Sequence, residues 1–230
     1  HLDTLKKDLV ANVSHELRTP VTTIKGFIET LKEGAIDDPK NAERFLNIIT
    51  KHINRLNLLI DDLLTLSKLE QKPDEIKTVD ENIYSLLKSV DEDYEFKANE
   101  KKITVNIKCD EKLKANINKH LLEQAIGNLV DNAIKYSDKK SEIELGAEEK
   151  DKQLQIYVKD EGYGISDDHM PRLFERFYRV DKGRSREEGG TGLGLAIVKH
   201  IINTMNGIIE VDSKPGKGSK FTVKIPQKYD

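Results

Sequence analysis

The chain has 230 residues, with 38 Lys and Arg against 41 Asp and Glu for a formal net charge of −3, and it is 34% charged and 37% hydrophobic. That apolar content suffices for real cores, which excludes disorder, collagen-like repeats and disulfide scaffolds, and a length well above the ~150 residues of one compact domain points to two modules. The near-neutral balance gives no field for gripping DNA phosphates or an anionic membrane, the single Cys109 can form neither an intramolecular disulfide nor a zinc cluster, and no apolar run approaches the ~18 residues of a membrane span.

Nucleic acid is therefore not an expected partner. A start on His1 without a signal peptide suggests a fragment of something longer. From Leu2 to about Glu33 the residues Leu5, Leu9, Val13, Leu17, Ile24, Phe27, Ile28 and Leu31 share one helical arc, with His15 and Thr19 on the outer face. Pro20 inside that helix removes a backbone hydrogen bond, so one helix kinked near His15 is expected. The segment from Gly34 to Pro39 reads as the loop of a helical hairpin. A second helix from about Lys40 to Glu70 carries the heptad seam Ala42, Leu46, Ile49, Ile53, Leu56, Ile60 and Leu63. Its second stripe, Phe45, Ile48, Leu59, Leu66 and Leu69, exceeds what one antiparallel partner can cover, which predicts a homodimeric four-helix bundle.

Gln71 to Glu75 breaks the heptads and reads as the linker. The expected domains are 1–72 and 73–230. After the linker come a helix around Ile83 to Tyr94, a strand at Ile103 to Ile107, and a long helix capped at Asn118. Strands at Ile143 to Ala147 and Leu154 to Val158 follow, then a glycine-punctuated turn and a helix near Asp167 to Phe174. A polar stretch, Asp181 to Gly190, precedes a helix from Leu193 to Met205 and a closing hairpin, Ile208 to Val211 and Phe221 to Ile225. Helices on one face of a mixed sheet make an α/β sandwich.

Four stretches carry chemistry. In Ser14-His15-Glu16-Leu17-Arg18-Thr19-Pro20, an exposed neutral imidazole is a nucleophile, and the adjacent Glu16 can accept or orient its proton. In Asn128-Leu-Val-Asp-Asn132-Ala-Ile-Lys135-Tyr136 the two asparagines share a helical face. Asn132 can give one oxygen to a Mg²⁺ otherwise bound by phosphate and water, Lys135 can pair with phosphate, and Tyr136 can stack on a base. In Asp160-Glu-Gly162-Tyr-Gly164-Ile165, directly after a strand, the aspartate can accept from the exocyclic amine of adenine. The glycines suit close backbone approach to a ligand, and a simple tight turn explains them equally well. The fourth, Gly189-Gly190-Thr191-Gly192-Leu193-Gly194-Leu195, is a glycine-rich loop opening a helix, suited to phosphate. It is not a Walker A loop, since no Lys-Ser/Thr follows the glycines, and it suggests a mobile lid.

In this order the stretches resemble the H, N, G1 and G2 boxes of bacterial sensor histidine kinases, most like the phosphate-regulon sensor group, with Arg172 to Arg179 similar to the F box and Gly216 to Phe221 to the last glycine motif. Glu161 departs from the Asn common in the G1 box. The resemblance implies a dimerisation and histidine-phosphotransfer hairpin followed by an ATPase domain of the gyrase, chaperone and MutL type. It implies ATP and Mg²⁺ bound through Asn128, Asn132, Lys135, Tyr136, Asp160, Gly162, Gly164, Gly190, Thr191, Gly192, Leu193 and Gly194, with Asn132 on the metal. His15 would be phosphorylated with Glu16 as base and Arg179 stabilising charge, the two modules swinging about Pro73. A response regulator's receiver domain would then take the phosphoryl group, and Thr19 would serve a phosphatase activity toward it. The fragment would lie in the cytoplasm, the membrane reached only through segments outside it. A nucleotide-holding scaffold, or a serine kinase or chaperone-like ATPase, are the rival readings, and transfer within or between subunits stays open.

Overall fold

In the computed structural model, residues 2–71, 77–180 and 190–227 are described. The expected linker around Pro73 and most of the polar stretch before Gly190 lie outside them. Residues up to Leu64, with 190–193, form one compact unit, and 65–180 with 194–227 form the other.

The first unit is built on helix α1 (Leu2–Lys32) and on helix α2 (Pro39–Gln71) as far as Leu64. α1 is continuous through Pro20, so the apolar spacing on both sides outweighs the lost hydrogen bond. Gly34, at φ +118°, ends the turn after α1, and a short 3₁₀ turn, Ala35–Asp37, leads to Asp38, whose Oδ1 accepts from Lys40 N at 3.0 Å. The rings of Phe27 and Phe45 meet at 5.1 Å, and Pro20, Leu31, Ile49 and Leu59 are buried. Burial is uneven along the heptad seam: Ile49 is inside, whereas Leu46, Ile53 and Ile60 remain 54%, 44% and 46% exposed.

The second unit contains β1 (Val79–Asn82), α3 (Ile83–Lys101), β2 (Thr104–Cys109), β3 (Lys114–Ile117), α4 (Lys119–Tyr136), β4 (Glu142–Lys150), β5 (Gln153–Asp160), α5 (Gly194–Thr204), β6 (Ile208–Ser213) and β7 (Ser219–Pro226). The five-stranded sheet has the order β2-β4-β5-β7-β6, with β2 and β4 parallel and the other pairs antiparallel. β1 and β3 form a separate two-stranded ribbon that the sequence reading missed, because each offers only a few apolar residues and Val79 is exposed. The helix expected near Asp167 to Phe174 is a 3₁₀ helix, Asp167–Arg172, with Pro171 inside it. The expected cap is present: Asn118 Oδ1 accepts from Leu121 N at 3.0 Å.

α4 touches both α3 and α5 and contacts β5. Leu122, Ala125, Ile126, Leu129, Val130 and Ala133 of α4 are buried, as are Leu154, Ile156 and Val158 of β5 and Phe221, Val223 and Ile225 of β7. The two-residue period of β5 carries past Val158 to Asp160, so a carboxylate falls in phase with the inward apolar row.

Candidate functional site

Asp160 is 6% exposed and is the one buried carboxylate among the described residues. Its Oδ1 accepts from Gly162 N at 2.8 Å and from Ser219 N, opposite it in β7, at 3.2 Å. Oδ2 makes no hydrogen bond to a described residue, so one acceptor of a rigidly held carboxylate is left for a donor from outside. Burial pushes the Asp160 carboxyl above its ordinary value, and the two backbone N–H groups only partly oppose this.

The turn after Asp160 is locked by its neighbours. Tyr163 N donates to Tyr136 O at 3.2 Å and Gly216 N donates to Tyr163 O at 2.7 Å, which ties the end of α4, the turn and the β6–β7 hairpin together. The glycines serve this packing. A Cβ on Gly162 would lie 2.3 Å from Tyr136 O, one on Gly164 (φ +68°) 1.9 Å from Lys214 O, and one on Gly218 (φ +78°) 2.0 Å from Asp160 O. The tight-turn alternative therefore accounts for Gly162 and Gly164 through protein backbone filling the space. Ser213 Oγ accepts from Ile165 N at 2.8 Å and lies 2.8 Å from Ser219 Oγ, fixing the far side.

Helix α4 carries Asn128, Asn132, Lys135 and Tyr136, and its last residue, Tyr136, meets the turn after Asp160. Asn128 Nδ2 approaches Gly194 O at 3.5 Å, at the start of α5. Asn132 is half-buried and makes no hydrogen bond to a described residue, so its carboxamide oxygen suits a cation ligand. The chemistry of one neutral oxygen fits a magnesium ion whose remaining ligands are phosphate and water. Tyr136 is exposed, with its ring available for stacking. Lys135 forms an ion pair with Asp131. Lys101 of α3 caps α4, its Nζ donating to Ile134 O at 2.8 Å and Lys135 O at 2.7 Å, where the helix dipole favours a cation. In the F-box segment Tyr178 Oη lies 2.6 Å from His169 Nδ1, and Arg179 is half-buried.

In the first unit His15 is exposed on α1. Glu16, expected beside the imidazole, presents its Oε2 to Arg55 of α2, whose Nη2 donates at 2.7 Å. Thr19 Oγ1 donates to His15 O at 3.2 Å. Thr191 Oγ1 donates to Asp62 Oδ2 at 2.6 Å and accepts from Leu193 N at 3.2 Å, while Leu193 is fully buried. Gly190 and Gly192 are half-buried, and Gly189 lies outside the described residues. Sequence reasoning missed Arg55, Ser219 and Asp131. Arg55 had a signal, being a charge on the inward stripe of α2; the other two act through tertiary contacts. A depression of about 500 Å³ on α2, lined by Lys40, Glu43, Arg44, Asn47, Ile48 and Lys51, includes none of these site residues.

Residues 5–72 match the family described as His Kinase A (phospho-acceptor) domain, and 117–229 match Histidine kinase-, DNA gyrase B-, and HSP90-like ATPase. Sensor protein SrrB of Staphylococcus aureus is 34% identical over 227 residues, 99% of this chain and 39% of that protein, so the chain spans well under half the length of this relative. Acinetobacter baumannii histidine kinase AdeS superposes with TM-score 0.75 at 26% identity, covering 94% of this chain and 98% of that one. Histidine kinase ThkA, solved in complex with response regulator protein TrrA, gives TM-score 0.79 at 26% identity, covering 96% of this chain and 61% of that one. The chain belongs to the sensor histidine kinases, of which it carries the catalytic core. No helix among the described residues is long and apolar enough to cross a membrane.

Proposed function

We propose that the chain transfers the γ-phosphoryl group of ATP to His15 and passes it to an aspartate of a response regulator's receiver domain. The carrying observation is that one chain joins an exposed helical histidine, followed in sequence by a carboxylate that Arg55 orients, to a sheet domain whose one buried carboxylate among the described residues keeps an acceptor oxygen without a described partner. Asp160 Oδ2 accepts from the exocyclic amine of adenine and Tyr136 covers the base. Asn128 and the loop from Gly190 through Thr191, Gly192 and Leu193 to Gly194 border the phosphates. Asn132 holds Mg²⁺, which when bound offsets charge on the phosphate oxygens. A ring nitrogen of His15 attacks the γ-phosphorus, the N–P bond forms as the bond to the β-phosphate oxygen breaks, and ADP leaves. Glu16, oriented by Arg55, takes the proton from the other ring nitrogen, and Lys135 and Arg179 stabilise the developing charge.

The phosphoacceptor module is 1–72 and the nucleotide-binding module 73–230, a division supported by the family match ending at residue 72. The half-exposed Leu46, Ile53 and Ile60 favour a homodimer in which a second hairpin covers that face. The response regulator as partner draws support from the ThkA and TrrA complex. Thr19 positions water on the regulator's phospho-aspartate in a phosphatase reaction, once its hydroxyl turns away from His15 O. Labelled ATP tests the whole: the wild-type chain should acquire acid-labile, base-stable label and His15→Gln none. Label retained by His15→Gln removes the assignment, and no label on the wild type favours a nucleotide-holding scaffold.

A further inference from the structure

Asp131 holds two cations, one on each oxygen. Lys97 Nζ of α3 donates to Oδ1 at 2.9 Å, and Lys135, one turn along α4, pairs with Oδ2. The Asp131 side chain is 18% exposed, so the carboxylate depends on these partners. Lys97 is placed by the packing of α3 on α4. Tyr94 lies against Gly127, where a Cβ would come within 3.1 Å of the ring, and the Lys97 ammonium stands 5.2 Å from that ring's centroid. The close approach at Gly127 thus sets the level at which Lys97 meets Asp131.

Lys135 cannot give its charge wholly to Asp131 and to a phosphate at once. With Lys97 in place, Asp131 keeps a counter-ion when Lys135 turns away. We infer that Asp131 and Lys97 form a counter-ion pair that positions Lys135, Asp131 holding its ammonium at the nucleotide site and Lys97 keeping Asp131 compensated when Lys135 engages the triphosphate. This rests on the reading of Lys135 as a phosphate contact. Lys97 and Asp131 are positioning residues, and their effect is confined to ligands that carry phosphate. Without Lys97, Asp131 draws on Lys135 alone and competes with the phosphates for it. Adenosine makes no such demand.

Titration of the full chain with a non-hydrolysable ATP analogue and Mg²⁺, and with adenosine by competition, separates these effects. Lys97→Met keeps the stem and removes the charge; the analogue's Kd should rise about threefold to tenfold, on the scale of one partly exposed charge pair, with adenosine unchanged. Lys97→Arg should restore analogue binding. In an Asp131→Asn background, which releases Lys135, Lys97→Met should have no effect. An equal loss for analogue and adenosine, the same penalty in the Asp131→Asn background, or no change at all would overturn the inference. Lys135→Met tests the underlying reading separately. If it leaves the preference for the analogue over adenosine intact, Lys135 is not a phosphate contact, whereas its loss together with a silent Lys97→Met discards the counter-ion pair alone.

Discussion

Asp160→Asn isolates the proposed base contact from the structural work of the same side chain. Oδ1 accepts from Gly162 N and Ser219 N, at 2.8 and 3.2 Å, so the asparagine must keep its carbonyl oxygen there. That fixes the carboxamide orientation and puts an NH₂ donor where Oδ2 stood, facing the donor amine of adenine. Losing a hydrogen bond to a charged acceptor costs ~1.5–3 kcal/mol, so the Kd for an ATP analogue should rise roughly tenfold to 150-fold. Asp160→Ala, by contrast, also leaves two buried N–H groups without an acceptor, at ~1–3 kcal/mol each, and should lower the melting temperature as well. Acidity supplies a second readout. Because the folded pKa is raised above the ordinary 3.8, the folded protein holds a proton at pH values where the unfolded chain has lost it. Ionised Asp160 thus opposes folding above that window, and acidification through it relieves the opposition. Binding runs the other way: affinity should fall as the pH drops through the raised value of the folded protein, where Asp160 gains a proton, and Asp160→Asn should lose that dependence. Calorimetry and thermal unfolding check both. An unchanged Kd in a folded Asp160→Asn variant would refute the base-reading role.

Thr19→Ala should leave labelling of His15 intact and slow dephosphorylation of the response regulator by ~10- to 100-fold, the scale of a lost positioning contact, in a regulator dephosphorylation assay. Equal loss of both activities would indicate a disturbed helix instead. Gly164→Ala forces a Cβ to 1.9 Å from Lys214 O at a φ of +68°, where a side chain alone costs ~1–2 kcal/mol. The β6–β7 hairpin must shift, so unfolding should occur at least ~4 °C lower, and nucleotide affinity should fall because that hairpin carries Ser219, which holds Asp160. A melting temperature equal to wild type would show that the close approach is not needed.

Much of the architecture was written in local patterns. Apolar spacing gave the hairpin and carried α1 through Pro20, and Asn118 marked the start of α4 because a cap is a contact over three residues. His15, Asn132 and Asp160 were legible because each stands in a short, chemically unusual stretch. Even the burial of Asp160 follows from the two-residue period it shares with Leu154, Ile156 and Val158. What holds these groups lay beyond the sequence, because the partners come from distant elements. Ser219 N is 59 residues from the carboxylate it supports, Arg55 is 39 from Glu16, and Lys97 is 34 from Asp131. Each pairing exists only once sheet register or helix packing brings two strands or helices side by side. The same holds for Gly162 and Gly164: the sequence shows two positions without side chains, and only the packed β6–β7 hairpin and the end of α4 supply the backbone atoms that require them.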